Sequence, residues 1–292
     1  MDWLTAALIS GIAFGANSLI GKYLLEDATD FTYTYLYSII ALLLYLPLFL
    51  YFITTLSLEL VPLTIAAVIA SGTLNIFAFL AFDEALKEAE ISEVVPITRI
   101  QPVFVGILGF LLLSETLTAL NIAGILTVTA GSYIALRHPK EPLITPLIKI
   151  RDSRAHQYAI ASALLWSSIS IIDRFATQQI PPELYTFMIY TIMVTGLSTN
   201  LLRDEKRKIN AVKKAFNKDK LMYLLTGTTA VIGTLMIFTA FSKAAASKII
   251  PIIQLQVLVS VIGGIIFFNE KGSKNKIIGS TILLIGIYLF TH

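Results

Sequence analysis

Long apolar runs separated by short polar clusters set the pattern of this chain. Ten runs fall near residues 3 to 25, 31 to 53, 62 to 86, 93 to 113, 118 to 136, 156 to 178, 183 to 201, 221 to 243, 248 to 268 and 275 to 291. At a rise of about 1.5 Å per residue, each is long enough to cross a hydrocarbon layer of roughly 30 Å. They lack the alternation of lipid-facing strands, and unpaired backbone is not tolerated in lipid, so the pattern predicts helices. The first run begins at Trp3 with no basic flank before it, which reads as a true span rather than a signal peptide.

The runs repeat. Ser92, Pro96, Ile97, Gln101, Gly109 and Glu115 recur 155 residues later as Ser247, Pro251, Ile252, Gln256, Gly264 and Glu270. Gly72 to Leu136 aligned without gaps on Gly227 to Thr291 gives 16 identities in 65 positions, more than apolar bias alone would give. Upstream the offset becomes 152, pairing Ser10 with Ser162, Phe14 with Trp166, Lys22 with Arg174 and Tyr33-Thr34 with Tyr185-Thr186. The expected division is therefore a five-helix repeat over 1–137, a linker over 138–155 and a second five-helix repeat over 156–292. An odd helix count per repeat makes the second copy enter the membrane from the opposite side, a geometry that lets a central site open to either face. The longest polar breaks are residues 137 to 155 and residues 202 to 220, the latter carrying eight Lys and Arg.

Composition agrees and removes other classes. The chain is 56% hydrophobic and only 14% charged, where a soluble domain carries about 25% charged residues. The net charge of +3 comes from basic residues in short loops, so no nucleic-acid partner is expected. With no cysteine and three scattered histidines, neither a metal nor a cofactor is expected. No Gly-rich Lys-Ser/Thr loop offers a nucleotide site, so transport driven by ATP is not expected either. Of the 22 Lys and Arg, 19 lie with the odd-numbered loops and 3 with the even ones, which places the odd loops in the cytoplasm and both termini outside.

The stretch Ser92 to Thr118 (SEVVPITRIQPVFVGILGFLLLSETLT), echoed less closely by Ser247 to Glu270, resembles the EamA-type transporters of the drug/metabolite transporter superfamily. The resemblance runs from Trp3 to the C-terminus. It departs from the family pattern at Ser114 and Asn269, where Gly is usual before Glu, and at Thr116 and Lys271 in the Arg position. What it implies is an all-α integral membrane protein of ten transmembrane helices, in two inverted five-helix repeats around a central cavity. It also implies export of amino acids or other small metabolites, and both termini inside, against the charge bias.

Candidate site residues follow from polarity in apolar runs. Arg99 is the one arginine well inside such a run; its fork suits a substrate carboxylate or phosphate, or else it pairs with Asp83 or Glu84 or snorkels to the interface. Its counterpart is Gln254, so the fold does not demand the charge. Gln254 itself, Asn17 one turn past Phe14, Trp166 in the matching helix, Tyr33, Tyr37, Tyr185, Tyr190, and Asn75 with Phe79 at i, i+4 are the other substrate-binding candidates. Against this stand interfacial anchoring of the tyrosines and satisfaction of the asparagines by neighbouring helices. Pro96 and Pro251 are read as gate elements or as helix starts, and Glu115 and Glu270 as caps of helix ends more than as proton carriers. Asp83 and Asp173, the remaining intramembrane acids, lie toward helix ends, and a proton-coupled role is the lesser reading for either. Gly124/Gly131 and Gly279/Gly286 are read as close helix contacts. The reading is a secondary transporter in the cell membrane, a monomeric exporter of small metabolites such as amino acids and not an enzyme. The alternatives are an intramembrane lipid-modifying enzyme or a non-transporting scaffold or receptor.

Overall fold

A computed structural model describes residues 1–54, 61–89, 91–136, 153–201, 205–269 and 274–291. Among these residues there is no strand, and the helices in chain order are α1 (Trp3–Leu24), α2 (Asp30–Ile53), α3 (Pro62–Glu88), α4 (Ile91–Thr98), α5 (Gln101–Leu113), α6 (Ala119–Leu136), α7 (Arg154–Thr177), α8 (Pro182–Leu201), α9 (Glu205–Lys218), α10 (Lys220–Phe241), α11 (Ala246–Ile253), α12 (Leu255–Phe268) and α13 (Lys274–Thr291). Helix starts follow local chemistry. Asp2 accepts from Thr5 N at 2.7 Å, and Asp219 accepts from Met222 N at 3.3 Å, each satisfying an N–H that the first turn leaves open.

Among the described residues, eight segments are long and apolar enough to cross a membrane: α1, α2, α3, α4 with α5, α6, α7, α10, and α11 with α12. Large apolar side chains such as Leu43, Phe110, Leu112 and Phe267 lie exposed, as a lipid-facing surface requires. The expected runs 93 to 113 and 248 to 268 are each broken in two. At Arg99 and Ile100, and again at Gln254, the bonds tighten to i−3: Arg99 N donates to Pro96 O, Ile100 N to Ile97 O, and Gln254 N to Pro251 O, each at 3.2 Å. The proline three residues before the first tightened bond's donor is common to both copies, as is the interruption itself.

The polar break 202 to 220 holds a helix, α9. Val212, Ala215 and Phe216 pack from it against the buried cluster of Leu24, Leu36, Ile40 and Tyr223, Lys208 lies over the Phe31 ring, and Lys218 pairs with Asp27. Apolar residues at helical spacing carried this signal beneath the run of charges.

The chain packs as two units that each draw on both sequence halves. One comprises Met1–Ile76 and Ile172–Lys243, the other Phe77–Ile171 and Ala244–His292. In the first, α1 runs antiparallel along α10, with Ser10 Oγ donating to Gly233 O at 2.8 Å. In the second, α6 and α13 cross antiparallel through glycines. A Cβ at Gly131 would stand 2.8 Å from Gly279 O, and one at Gly279 would stand 2.6 Å from Ala135 Cα. A Cβ at Gly124 would meet Phe290 Cε2 at 2.6 Å, and one at Gly286 would meet Val128 N at 2.6 Å. Adding 155 turns the Gly124/Phe290 contact into its mirror, Gly279/Ala135. Contacts that map onto themselves when the two copies are exchanged are what an inverted repeat produces at its twofold axis.

The end of α5 shows why glycine is usual at position 114. Ser114 has φ of 53° and Asn269 has φ of 50°, both left-handed. That turn brings Glu115 back onto its own helix, where Gly109 leaves it room. Glu115 Oε1 accepts from Ala246 N at 2.8 Å, and Oε2 accepts from Ser247 N at 3.1 Å and Ser247 Oγ at 2.5 Å, capping α11 with a negative charge. Its counterpart Glu270 lies outside the described residues.

Gly131→Ala and Gly279→Ala should each cost about 1–3 kcal/mol, because the added Cβ meets backbone. Gly106→Ala, facing the side-chain ends Ile125 Cδ1 at 3.0 Å and Leu117 Cδ1 at 3.8 Å, should cost clearly less. Thermal unfolding in detergent orders the three variants. In the same assay Ser114→Gly should stabilise by up to about 1 kcal/mol through relief of the left-handed backbone. Glu115→Gln should destabilise by about 1 kcal/mol through loss of the charged cap.

Candidate functional site

The second unit brings four of the sequence candidates into two groups. Arg99 sits at the break between α4 and α5, and Gln254 at the break between α11 and α12. These two positions are exchanged by the 155-residue offset, and they touch: Arg99 Nη1 donates to Gln254 Oε1 at 3.5 Å. Residues exchanged by a twofold can meet only near its axis, so the paired helix breaks face each other there. Interrupted helices carrying polar groups at the break are how membrane carriers place binding groups at depth.

A hydrogen bond of this length is weak. Arg99 Nε is buried and has no hydrogen-bond partner among the described residues, and no carboxylate among them pairs with the guanidinium. Glu84, one expected partner, is engaged by Lys87 at 2.5 Å. Gln254 is buried, so the acceptor is held in place while the Nε edge of the fork stays open. Nearby in sequence, Gln101 reaches α7: its Nε2 donates to Ser170 Oγ at 3.4 Å, and Ser167 Oγ donates to Gln101 O at 3.4 Å. Trp166 on the same helix stacks edge-on to Phe79 at 5.7 Å and tilted to Phe82 at 5.5 Å, which fixes its indole. Pro96 and Pro251 are buried in α4 and α11, three residues before Arg99 and Gln254.

The remaining candidates belong to the first unit, where each is taken up by its neighbours. Asn17 Nδ2 donates to Thr226 O, Thr226 Oγ1 and Thr229 Oγ1 at 2.9, 2.8 and 3.2 Å, and its Oδ1 accepts from Tyr33 OH at 3.1 Å. Tyr33 and Tyr37 are ring neighbours at 5.4 Å, as i, i+4 on a helix requires, while Tyr35 turns to Ser198. Asn75 donates back to Ser71 O at 3.2 Å. Tyr190 OH is 2.9 Å from Thr234 Oγ1, and Tyr185 OH donates to Asp173 Oδ1 at 2.6 Å. Ser71 Oγ donates to the same oxygen at 2.5 Å. Residue-by-residue polarity does not single out Ser71, while Asp173 stands out from the sequence as one of two intramembrane acids open to a proton-coupled role.

Among these candidates the open hydrogen-bonding capacity of a charged group is concentrated at Arg99. Asn17, Tyr33, Asn75, Tyr185 and Tyr190 each find a partner within their own unit, the arrangement that neighbouring spans give buried amides and hydroxyls.

Comparison with known proteins places this architecture. The model of the EamA-like transporter family matches residues 1–137 and again residues 153–292. A protein of Archaeoglobus fulgidus described as an uncharacterized transporter is 20% identical over 284 residues, spanning 97% of this chain and 95% of its own. A solved crystal structure superposes with a TM-score of 0.74 at 16% identity, over 98% of this chain and 97% of that one, and shows the shared fold. With both copies of the repeat matched by one family model, this multi-pass membrane protein belongs to the EamA-like transporter family.

Proposed function

We propose that this membrane transporter is a secondary, monomeric exporter of small carboxylated metabolites such as amino acids, a carrier rather than an enzyme, built from ten spans. The observation that carries the substrate class is the Arg99 guanidinium, held at a helix break with its Nε unpartnered among the described residues and Nη1 resting on Gln254 at 3.5 Å. A guanidinium offers two parallel donors to a planar carboxylate, and exchanging the weak amide contact for that pair leaves no charge unanswered. Gln254, released, can then donate its amide N–H to the same anion. Trp166, fixed by Phe79 and Phe82, supplies an apolar face in the same unit for the rest of a small solute. Pro96 and Pro251, one turn from the two contact residues, are the natural positions for the helix ends to bend as the site changes face.

The reading is tested by thermal shift and by flux. Amino acids and related carboxylates should raise the melting temperature of the purified protein, and their decarboxylated amines should not. Arg99→Gln should weaken carboxylate binding by tenfold or more, since a charge-assisted hydrogen bond contributes about 1.5–3 kcal/mol. Proteoliposomes should show counterflow of the stabilising solute that Arg99→Gln abolishes. Equal stabilisation of both proteins by the same solutes would overturn the role of Arg99.

A further inference from the structure

The fold contains its own control for the group around Asp173. The 152-residue offset takes Gly21 to Asp173 and Tyr33 to Tyr185, and the 155-residue offset takes Ser71 to Thr226. Both triads assemble, and both lie within the first unit. In one, Tyr33 OH stands 3.1 Å from Thr226 Oγ1, and a Cβ at Gly21 would lie 2.7 Å from that phenol oxygen. In the other, an aspartate occupies the glycine's place and its Oδ1 receives both hydroxyls, Tyr185 at 2.6 Å and Ser71 at 2.5 Å. The neutral corner is completed by the Asn17 amide. The same architecture therefore forms without an acid, and the carboxyl is a property of one copy alone.

Among the described residues its surroundings hold no counter-charge. Asp173 is 5% exposed within a segment long and apolar enough to span the membrane. On its own helix, Arg174 donates to Phe241 O and Thr177 Oγ1 donates to Asp173 O at 2.7 Å. From α3 come hydroxyls, Ser71 and, engaged with Gln179, Thr64. From α8 comes the Tyr185 phenol, two residues from Glu183, whose backbone carbonyl accepts from Tyr45 OH. From α10 comes Phe238, edge-on to Tyr185 at 4.6 Å. No basic side chain pairs with the carboxyl among the described residues. Two hydroxyls aimed at Oδ1 hold the charged form, and Oδ2, which accepts no hydrogen bond among the described residues, is the atom that can carry a proton. An intramembrane acid placed so is equipped to exist in both states.

We propose that Asp173 is the proton-carrying group of this transporter: Oδ2 takes a proton from one side of the membrane and releases it to the other, coupling solute movement to a proton gradient. This rests on the transporter reading, and Ser71 and Tyr185 are positioning residues for it. The test is Asp173→Asn in two readouts. In infrared difference spectra of the purified protein, acidification should produce a carboxylic-acid C=O band that Asp173→Asn lacks and that Ser71→Ala, having lost one donor, shows at a different pH. In proteoliposomes a pH gradient should accelerate solute flux several-fold in the wild type and leave Asp173→Asn unaffected, with Asp173→Glu restoring part of the response. Persistence of the whole band in Asp173→Asn, or equal acceleration of that variant by the gradient, would overturn the proposal. A wild type that moves no solute yet shows the Asp173 band sinks the transporter reading and keeps the proton site, so the two failures are told apart.

Discussion

An arginine fork inside a bundle of apolar helices is costly unless something answers its charge. Arg99 is answered by a single long bond to the amide of its own symmetry counterpart, and Nε by nothing among the described residues. The surrounding structure makes this tolerable. Helix breaks at Arg99 and Gln254 put turn backbone beside the charge, and the glycine crossing of α6 with α13 fixes the twofold on which the two residues meet. The same duplication explains the rest of the second unit, in which Ser114 and Asn269 take the same left-handed backbone and Glu115 caps the helix of the other copy.

Duplication also shows where function has departed from architecture. A fold made twice needs its structural residues twice, and Pro96/Pro251, Gly131/Gly286 and Tyr33/Tyr185 are kept as pairs. Arg99 faces Gln254, and Asp173 stands where the other copy has Gly21. Those two mismatches put a cation at a helix break of one unit and an acid within a helix of the other, at positions where the other copy forms the same architecture without the charge.

Much of the fold was legible in the chain because lipid imposes a simple rule: the apolar runs locate the helices of the structure to within a few residues. The glycine contacts were legible from their seven-residue spacing, and the capping role of Glu115 from its place after an apolar run. The helix breaks were not, since Pro96 and Pro251 at the head of an apolar run read equally well as helix starts. Helix α9 was hidden by its eight-cation neighbourhood, although Val212, Ala215 and Phe216 carry a helical stripe. The Asp173 triad was invisible residue by residue, because Ser71 lies 102 positions away. Asn17, Tyr185 and Tyr190 drew attention by their polarity, yet whether polarity serves a ligand or a neighbouring helix is decided by partners that only coordinates supply.

The central claim, that the open edge of Arg99 receives a carboxylate, is tested most directly by nitrogen-15 NMR of the arginine Nε–H groups. The Arg99 resonance is assigned by its loss in Arg99→Gln. A carboxylate that stabilises the protein should shift that resonance and slow its exchange with water, and the corresponding carboxamide should do neither. A bound carboxylate that leaves the Arg99 Nε–H signal where it was would contradict the account.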